Sequence, residues 1–473
     1  MIMHEPGAGP RQPGPAWGRA TLDGILRKNA KDYPDRIALV DDPDREQWNA
    51  APAQELTFAE ADRRVDALAG FFRIAGLQPD AMIAIDAPPT TDTVIILLAA
   101  LRAGLIVFPV PALWTRKDCM TILSPVAPQA VIVTSVTKGE SRAERLRDVA
   151  DTIRSARLVF GYGGALPGGV LDLAASLRPD DILPAPRLER EGEPGDHVAT
   201  VTANGGAPVA TQLHVRSHRH WLASALSLVL EARLREGATF LLPYALSGLT
   251  GIGAGVVPWL LTAGTLRLHR FDRLARLVAH ARDIKPSIVI LPGELAAPFG
   301  SADRREDGGP LIGAVWKDEH PDSVPAAAVG GIVDITSIDE LAFAVRRRER
   351  KDVASLPVGP VHVSGDTALL EIRVEGHPHK AGERHATLLG GLLSLRGMAV
   401  PTARSIPVRG SEPARTHIEI GSEGFVRTDI ECRLVDGPMR GIVPMGRRDK
   451  DRPDAARGEN EAPADGKGIR VAG

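Results

Sequence analysis

The stretch LTFAEADRRVDALAGFFRIAGLQPDAMIAI, residues 56–85, combines a helical pattern with a strand-like run. Thr57 is followed three positions later by Glu60, which is the pattern of a helix-capping box, and apolar residues then recur at helical spacing. Gly76 predicts the end of this helix, and the following AMIAI has the length and composition of a buried strand. A helix that leads directly into a buried strand is the repeating unit of an α/β fold.

The same alternation extends along the chain on both sides of this stretch. TLDGILRKNAKDYPDRIALV, residues 21–40, predicts a helix with Asp23 in its first turn and then a strand. TVIILLAALRAGLIVFPVPALW, residues 93–114, predicts a buried helix and a buried strand, because Arg102 and Gly104 interrupt it too early for a membrane-spanning helix. Further short apolar strands follow in APQAVIVTS, ARLVFGY, GATFLLPY, GTLRLHRF and PSIVILP. We therefore predict a doubly wound α/β architecture.

The pattern along the chain divides it into five parts. Residues 1–20, rich in proline and glycine, are expected to form a flexible tail, and residues 21–195 and 196–355 to form two α/β subdomains. Beyond residue 355, strand-length runs are separated by glycine and polar turns without a helical pattern, which predicts a smaller β-rich unit over 356–445. Residues 446–473 are charged and poor in large apolar side chains, so we expect a mobile tail.

Composition excludes several classes of function. The chain has 57 Lys and Arg against 59 Asp and Glu, so no global field favours nucleic acid, and we predict no nucleic-acid partner and no membrane span. Cys119 and Cys432 lack disulfide or zinc spacing, which fits the reducing cytoplasm. His214, His218 and His220 lie close together, but no carboxylate or cysteine is arranged with them, so we interpret them as part of a helix start rather than a zinc site.

VTANGGAPVAT, residues 201–211, is a glycine-rich stretch between a charged segment and a long helical pattern. Glycines allow backbone amides to converge on an anion, as in phosphate-binding loops. Such loops usually carry a lysine, which this stretch lacks. By itself the stretch is therefore either a phosphate-binding loop or an ordinary turn that follows a strand.

Several segments, taken in order, resemble the acyl-CoA synthetases of the adenylate-forming, or AMP-binding, superfamily. They include the three stretches quoted first, then HRHWLAS, LLPYALSGLTG, LLTAGTLRLHRFD, KPSIVILP, EGFVRT and GRRDKD, and they run from about Thr21 to Pro463. The resemblance implies the fold of the large N-terminal domain of those enzymes. That domain has two doubly wound α/β subdomains and a smaller β-rich subdomain shaped as a distorted barrel.

The resemblance implies that residues 201–210 descend from the loop that holds the pyrophosphate end of ATP. In the family this loop reads approximately TSGTTGxPKG. Anchored on the proline, the match makes Thr202, Asn204, Gly205 and Gly206 nucleotide-binding candidates. Val209 occupies the lysine position, and an apolar side chain cannot replace a charge-assisted contact to phosphate.

A second family motif, roughly YGxTE, is matched by VDITSIDEL, residues 333–341. Thr336 stands at the tyrosine that packs near adenine, so that stacking surface is lost. Glu340 stands at the glutamate that helps to hold magnesium, a cation that prefers carboxylate oxygen. The alternative is a capped helix start, in which Asp339 and Glu340 would interact favourably with the helix dipole.

A third motif, TGD, is matched by EGFVRTDIECRL, residues 423–434, without its glycine. The resemblance makes Asp429 the acceptor of the ribose hydroxyls. In a strand, however, the loss of the glycine would reverse the direction of the following side chains. The alternative is an ordinary aspartate at the end of a strand. Arg447 lies in the segment similar to the family's hinge and would approach ribose or phosphate. The family's small closing domain follows that hinge, and here the sequence ends soon afterwards, with Lys467 interpreted as a tail lysine.

Two classes of function follow from these matches. The first is a divergent ligase that uses ATP and magnesium, and CoA in a second step, to form an acyl-adenylate from a carboxylic acid. The second is a catalytically impaired pseudoenzyme that binds an acyl group, a carrier protein or a synthetase partner. No catalytic residue is identified. The small residues of LSGLTGIGAG, residues 246–255, either line an acyl tunnel or allow close helix packing.

Overall fold

The computed structural model describes residues 16–135, 142–174, 188, 190–203, 212–302, 309–317, 331–348, 356–364, 367–375, 389–403, 418–435 and 441–447. Ten α-helices are assigned within these ranges, and five of them begin at a Thr or Ser residue whose side chain caps the helix. They are α1 (Leu22–Asp32), α2 (Arg45–Asn49), α3 (Phe58–Ile74), α4 (Thr91–Arg102), α5 (Arg116–Val126), α6 (Arg142–Ala150), α7 (His218–Glu231), α8 (Val257–Thr262), α9 (Leu274–Ile284) and α10 (Ala296–Ala302).

Twenty-one strands are assigned in the same ranges. They are β1 (Ile37–Val40), β2 (Glu55–Thr57), β3 (Met82–Asp86), β4 (Ile106–Val110), β5 (Ala130–Thr134), β6 (Leu158–Tyr162), β7 (Leu171–Asp172), β8 (Val198–Ala203), β9 (Leu213–Ser217), β10 (Thr239–Leu242), β11 (Thr265–Leu268), β12 (Ile288–Pro292), β13 (Leu311–Lys317), β14 (Ile332–Ile338), β15 (Ala342–Arg347), β16 (Leu356–Pro357), β17 (Gly359–Ser364), β18 (Thr367–Glu375), β19 (Leu389–Arg396), β20 (Val426–Val435) and β21 (Gly441–Arg447).

The local predictions from residues 21–114 are confirmed. Thr57 and Glu60 form a reciprocal capping box at the start of α3, which ends at Ile74, two residues before Gly76. Asp23 lies in the first turn of α1. Helix α4 is buried on all sides and leads to the wholly buried strand β4, as expected of a helix without a polar face. No helix among the described residues is long and apolar enough to cross a membrane.

Two largely parallel sheets form the body of the protein. The first has the strand order β7-β6-β5-β3-β4-β8-β9, in which only the β8–β9 pair is antiparallel. The second has the order β15-β14-β13-β12-β10-β11-β1-β2 and is parallel except for its two edge strands. The early strands β1 and β2 belong to the second sheet, and β8 and β9 belong to the first. The sheets therefore exchange strands across the predicted subdomain boundary at residues 195–196.

Helices cover both sheets and fill the space between them. The largest apolar cluster joins Ile83 of the first sheet and Phe240 of the second to α1, α3, α4, α7 and α8. On the outer face of the first sheet, α5 and α6 pack over Ala84, and on the outer face of the second, α9 and α10 pack over Leu241. This layered arrangement confirms the predicted doubly wound α/β fold and directs the carboxyl ends of both sets of strands into one region.

The third sheet is the predicted smaller β-rich unit. Its antiparallel strand order is β16-β21-β20-β19-β18-β17. Leu356 and Pro357 pair with β21, whereas the chain that continues through Gly359 pairs with β18. One continuous segment thus forms both ends of the sheet, which closes it into a small distorted barrel. This unit packs against the β14–β15 hairpin through a shared apolar cluster that includes Ile338, Leu341 and Ile430.

Candidate functional site

The carboxyl end of β14 leads into a strained hairpin turn. Leu341 N–H donates to the Ile338 carbonyl at 2.8 Å, and the two residues between them, Asp339 and Glu340, have φ of 51° and 53°. These values define a type I′ turn, which favours glycine or asparagine. The alternative prediction of a capped helix start here is wrong, because the chain reverses directly into β15. Two adjacent non-glycine residues with positive φ indicate a turn that its surroundings hold in place.

Contacts from two separate elements hold the side chains of this turn. Glu340 Oε2 accepts a hydrogen bond from Leu249 N–H at 3.0 Å, and Glu340 is only 8% exposed. Gly248 permits this approach, since a Cβ atom there would lie 3.0 Å from the same oxygen. Gln212, in the amide orientation that satisfies its neighbours, donates to Asp339 Oδ2 at 2.8 Å. The turn is thereby fixed to the start of a buried helical segment and to the residue that precedes β9.

Arg216 connects this turn with the end of β8. Its guanidinium donates through Nη1 to Thr202 Oγ1 and through Nη2 to the Glu340 backbone carbonyl. Arg216 is fully buried, and this burial lowers its pKa to about 10, which leaves it cationic at neutral pH. Thr202 and Glu340, which are 138 positions apart in sequence, are therefore joined by one side chain.

Of the four nucleotide-binding candidates in the predicted phosphate loop, Thr202 is the one that the structure describes. It is buried near the end of β8, opposite His214 on β9. Asn204, Gly205 and Gly206 lie outside the described residues, as does Val209. The described part of the site therefore consists of Thr202, Arg216 and the hairpin turn.

Comparison with known proteins identifies the family. The model of the AMP-binding enzyme family matches residues 26–307, which is more than half of the chain. The chain belongs to the AMP-binding enzyme family. This result confirms the resemblance to acyl-CoA synthetases and other adenylate-forming enzymes.

Individual relatives agree with this assignment. The chain is 22% identical over 256 residues to a medium-chain fatty-acid–CoA ligase of Escherichia coli (strain K12), and this match covers 54% of the chain and 43% of the ligase. It is 26% identical over 255 residues to a salicyl-AMP ligase / salicyl-S-ArCP synthetase of Mycobacterium tuberculosis, and this match covers 51% of the chain and 43% of that protein. The chain thus spans less than half the length of these two curated relatives.

Solved structures with a similar fold are found at lower sequence identity. The apo structure of Mycobacterium smegmatis MbtA superposes with a TM-score of 0.70 at 18% identity, covering 91% of this chain and 77% of that one. The anthranilate CoA ligase AuaEII in complex with anthranoyl-AMP gives a TM-score of 0.69 at 14% identity and covers 91% and 78%. At these identities the likeness shows the fold alone.

Compared with the motifs of the AMP-binding family, the chain departs most clearly at Thr336. This residue is fully buried within β14, where Trp316 and Ala344 flank it on the neighbouring strands. It exposes no surface on which an adenine ring could stack. The residue at the position of the stacking aromatic is thus inaccessible from the surface.

The stretch around Asp429, which was matched to the family's TGD motif, lies on β20, and Arg447 ends β21. Only the backbone positions of these two residues are described. Ile430 pairs with Arg447 across the two strands, so the backbones of Asp429 and Arg447 are neighbours. Ile430 also belongs to the apolar cluster that contains Ile338 and Leu341 on either side of the hairpin turn. The strand that carries Asp429 thus shares an apolar cluster with the hairpin that contains Glu340.

The histidines at the start of α7 have structural roles in the described region. His218 Nδ1 accepts a hydrogen bond from Leu22 N–H at 3.2 Å, which fixes the start of α1. His220 Nδ1 accepts from Ser217 N–H at 3.0 Å, in a capping box that begins α7. Burial lowers the pKa of His218 to about 4 and that of His220 to about 3, so both rings are neutral at pH 7. Among the described residues, no group of three or more His, Cys, Asp or Glu side chains could hold a metal ion.

The glycines of the segment after β10 are packing residues. Leu249–Val256 forms a buried π-helix. A Cβ atom at Gly251 would lie 2.0 Å from the Ala245 carbonyl oxygen, and one at Gly255 would lie 2.3 Å from Leu242 Cδ2. These distances favour the close-packing alternative over a tunnel lined by these glycines, because no free space adjoins them.

Arg216 was not predicted from the sequence. It lies in LHVRS, where apolar residues alternate with polar ones in a strand beside the glycine-rich stretch. An arginine on such a strand is normally expected to extend to solvent. Its position just after a candidate phosphate loop is the one signal that could have singled it out.

Proposed function

We propose that this protein activates a carboxylic acid with ATP. In this reaction a carboxylate oxygen attacks the α-phosphorus, the bond to pyrophosphate breaks, and an acyl-adenylate forms. The observation that supports the proposal is the link from Thr202 through Arg216 to Glu340 at the carboxyl ends of strands from both sheets. In open α/β sheets, ligands bind outside these strand ends.

The residues at this place fit part of a nucleotide and magnesium site. Glu340 offers one carboxylate, and a magnesium ion in nucleotide enzymes takes one or two protein carboxylates together with phosphate oxygens. When bound, the ion would neutralise the charge that develops on the departing pyrophosphate. Thr202 would donate to a phosphate oxygen, Asn204, Gly205 and Gly206 would supply backbone amides, Asp429 would accept from the ribose, and Arg447 would approach ribose or phosphate.

For the acid substrate, we propose a fatty or aromatic carboxylic acid. The curated relatives are named for a medium-chain fatty acid and for salicylate. A second step that transfers the acyl group to CoA or to a carrier protein is part of the proposal. The two cysteines are both free and buried, which supports a reducing compartment such as the cytoplasm.

A second candidate function is an acyl-binding or partner-binding scaffold without ligase activity. Two observations favour it. Thr336 exposes no stacking surface, and the Glu340 carboxylate is already engaged by Leu249 N–H. A protein that kept the fold and lost adenylation would combine these features.

An ATP–pyrophosphate exchange assay with a panel of acids separates the two functions. The panel should include octanoate, salicylate and anthranilate, and the same mixtures should be examined for thermal shifts with ATP and magnesium. Exchange that falls about 10- to 100-fold in Glu340→Gln would support the ligase, because loss of a charged metal ligand costs about that much. Glu46→Gln, an exposed carboxylate on α2, is the matched control.

The same assay identifies the scaffold. No exchange with any acid and no thermal shift with ATP, together with a shift produced by an acid alone, would refute the ligase and favour acyl binding. Asp429→Ala should reduce exchange if that residue holds the ribose. Full exchange in Asp429→Ala would remove this residue from the site without affecting the proposal for Glu340.

A further inference from the structure

A cluster of polar side chains outside the candidate nucleotide site lies at the carboxyl ends of β1 and β11. His269, which directly follows β11, and Asp42, two residues after β1, are both fully buried. His280 on α9 is half-buried, and its Nδ1 atom lies 3.1 Å from His269 Nδ1. Asp42 Oδ2 lies 3.5 Å from the same His269 atom and accepts a hydrogen bond from Arg270 N–H at 2.8 Å. The two rings therefore join α9 and the end of β11 to the segment that follows β1.

The hydrogen positions of the two rings follow from these contacts. One Nδ1 atom must donate to the other, because two bare nitrogens or two N–H groups would repel at this distance. His269 is the donor, since a bare Nδ1 on this ring would face the Asp42 carboxylate. Its Nε2 atom then carries no hydrogen, and this atom is buried without a hydrogen-bond partner among the described residues. His280 is the acceptor, and its Nε2 atom carries the hydrogen of that ring.

Neither ring can take up a further proton without breaking this arrangement. A proton on His280 Nδ1 would set two N–H groups against each other at 3.1 Å. A proton on His269 Nε2 would bury a charged ring with an N–H group that has no acceptor. Burial accordingly lowers the pKa of His269 to about 4, and it also lowers the pKa of His280. The pair is therefore stable only while both rings are neutral.

The charges around the pair have both signs and do not remove this conflict. Besides Asp42, the groups that act on the two rings are Arg267, Asp272, Arg276 and Asp283. Arg276 binds Asp42 through its Nη2 atom and also pairs with Asp44 Oδ2 at 2.9 Å. The Asp42 carboxylate is thus already engaged by an arginine, and desolvation of His269 outweighs its attraction for a charged ring.

The segment after β1 contacts both sheets. Asn49 Nδ2 donates to Thr134 Oγ1 at 3.0 Å, at the end of β5 in the first sheet. Asp42 forms the contact with the second sheet, where His269 follows β11. Residues 41–49 therefore connect the two sheets, and the histidine pair belongs to one of their two attachments.

We propose that His269, His280 and Asp42 form a proton-sensitive latch between α9 and the segment 41–49, closed at neutral pH and open in mild acid. Opening begins when His280 gains a proton, because its half-buried ring is then repelled by the His269 N–H. Arg276 lies one turn before His280 on the same face of α9, so a charged His280 also repels Arg276 and weakens its pair with Asp42. The latch operates whether or not the protein is a ligase.

Hydrogen exchange of the full chain, measured by mass spectrometry at pH 7 and pH 5 and expressed as protection relative to the unfolded chain, tests the latch. The reporters are the segments 41–49 and 269–284, and α3 is the reference. A group whose pKa is 6.5 in the open state and about 4 in the closed state favours opening about 20-fold more at pH 5 than at pH 7. We therefore expect protection of the reporters to fall about 20-fold, with α3 remaining more protected than the reporters at pH 5 because the opening is local.

Two variants of His280 separate the latch from other acid effects. His280→Asn keeps an acceptor near the position of Nδ1 and cannot take up a proton, so its reporters should lose less than about 3-fold in protection between pH 7 and pH 5. His280→Ala removes the acceptor and should leave the reporters weakly protected at both pH values. His197→Asn, which replaces a half-buried histidine outside the cluster, is the matched control and should behave as the wild type.

Any of four results would overturn the latch. The first is equal protection of the wild-type reporters at both pH values, and the second is a loss in His280→Asn as large as that of the wild type. The third is α3 losing its protection together with the reporters, which would indicate global unfolding. The fourth is full protection of the reporters in His280→Ala at pH 7. The comparison of the wild type with His280→Asn remains decisive even if His280→Ala does not fold.

Discussion

Replacing Gly251 with alanine tests whether the segment after β10 is a packed wall or the lining of a tunnel. The added Cβ atom would lie 2.0 Å from the Ala245 carbonyl oxygen, whereas real Cβ atoms almost never approach another heavy atom within 3.0 Å. The backbone would have to move by about 1 Å within the segment Leu249–Val256, whose residues are all buried. Overpacking of this kind costs about 1–3 kcal/mol, and we expect about 3 kcal/mol because the clash is with backbone rather than with a side chain that could rotate.

Two matched substitutions calibrate this prediction. Gly255→Ala meets Leu242 Cδ2 at 2.3 Å, the far end of a side chain that can change rotamer, so we expect a loss of about 1 kcal/mol. Gly168→Ala meets nothing within 4 Å and has no positive φ, so its stability should stay the same or rise by about 0.5 kcal/mol. The expected order of stability is therefore Gly168→Ala, wild type, Gly255→Ala and Gly251→Ala.

Urea unfolding followed by tryptophan fluorescence measures the series, and thermal shifts with octanoate measure ligand binding in parallel. A stability of Gly251→Ala equal to that of the wild type would refute the packing argument. Weaker octanoate binding in that variant at unchanged stability would instead indicate that these glycines line an acyl tunnel. The two outcomes are distinguishable, because a residue that lines a tunnel borders free space and can accept a methyl group without loss of stability.

Three further predictions concern buried polar groups. Burial lowers the pKa of His218 from 6.5 to about 4, so between these pH values the unfolded chain binds a proton that the folded protein does not. The free energy of unfolding should therefore fall by up to about 3 kcal/mol as the pH decreases from 6.5 to 4. In His218→Asn the urea midpoint should change less with pH over this range. Arg45→Met leaves the buried Asp41 and the partly buried Asp92 without their cation and should cost about 3–5 kcal/mol in urea unfolding. Arg27→Met, which removes an exposed pair, should change stability by less than about 1 kcal/mol, and equal losses would contradict the argument. Burial raises the pKa of the Cys119 thiol to about 11, so this thiol should not react with Ellman's reagent at pH 8 until urea unfolds the protein. Rapid labelling of Cys119 in the native protein would contradict its buried position.

The helices and strands of residues 21–114 were predictable from sequence because their signals are local. The capping box of Thr57 and Glu60 and the wholly apolar α4 depend on residues within one or two helical turns. Strand membership was less predictable. The sheets exchange β1, β2, β8 and β9, since hydrogen bonding between strands is set by how the chain returns in space rather than by order in sequence.

The candidate site was predictable only in part. Matching the family motifs singled out Thr202 and Glu340, and the structure brings these two residues to one place. The conformation at Glu340 was missed because the choice between a helix start and a reversing turn depends on pairing with β15, which lies beyond the motif. Arg216 was missed because a charged residue on a half-polar strand gives no sign that it will be buried.

One can infer from the amino-acid sequence the α/β class, the β-rich unit after residue 355 and the family, because periodicity, capping residues and the order of motifs are properties of the chain. The surroundings of the motifs became visible only in the folded protein. The tertiary structure closed the third sheet into a barrel, fixed the Asp339–Glu340 turn from two other elements, and placed a buried arginine between two residues 138 positions apart. The physical reason is that burial, and the charge and hydrogen-bond pairing that burial demands, arise from contacts between distant segments, which no local pattern encodes.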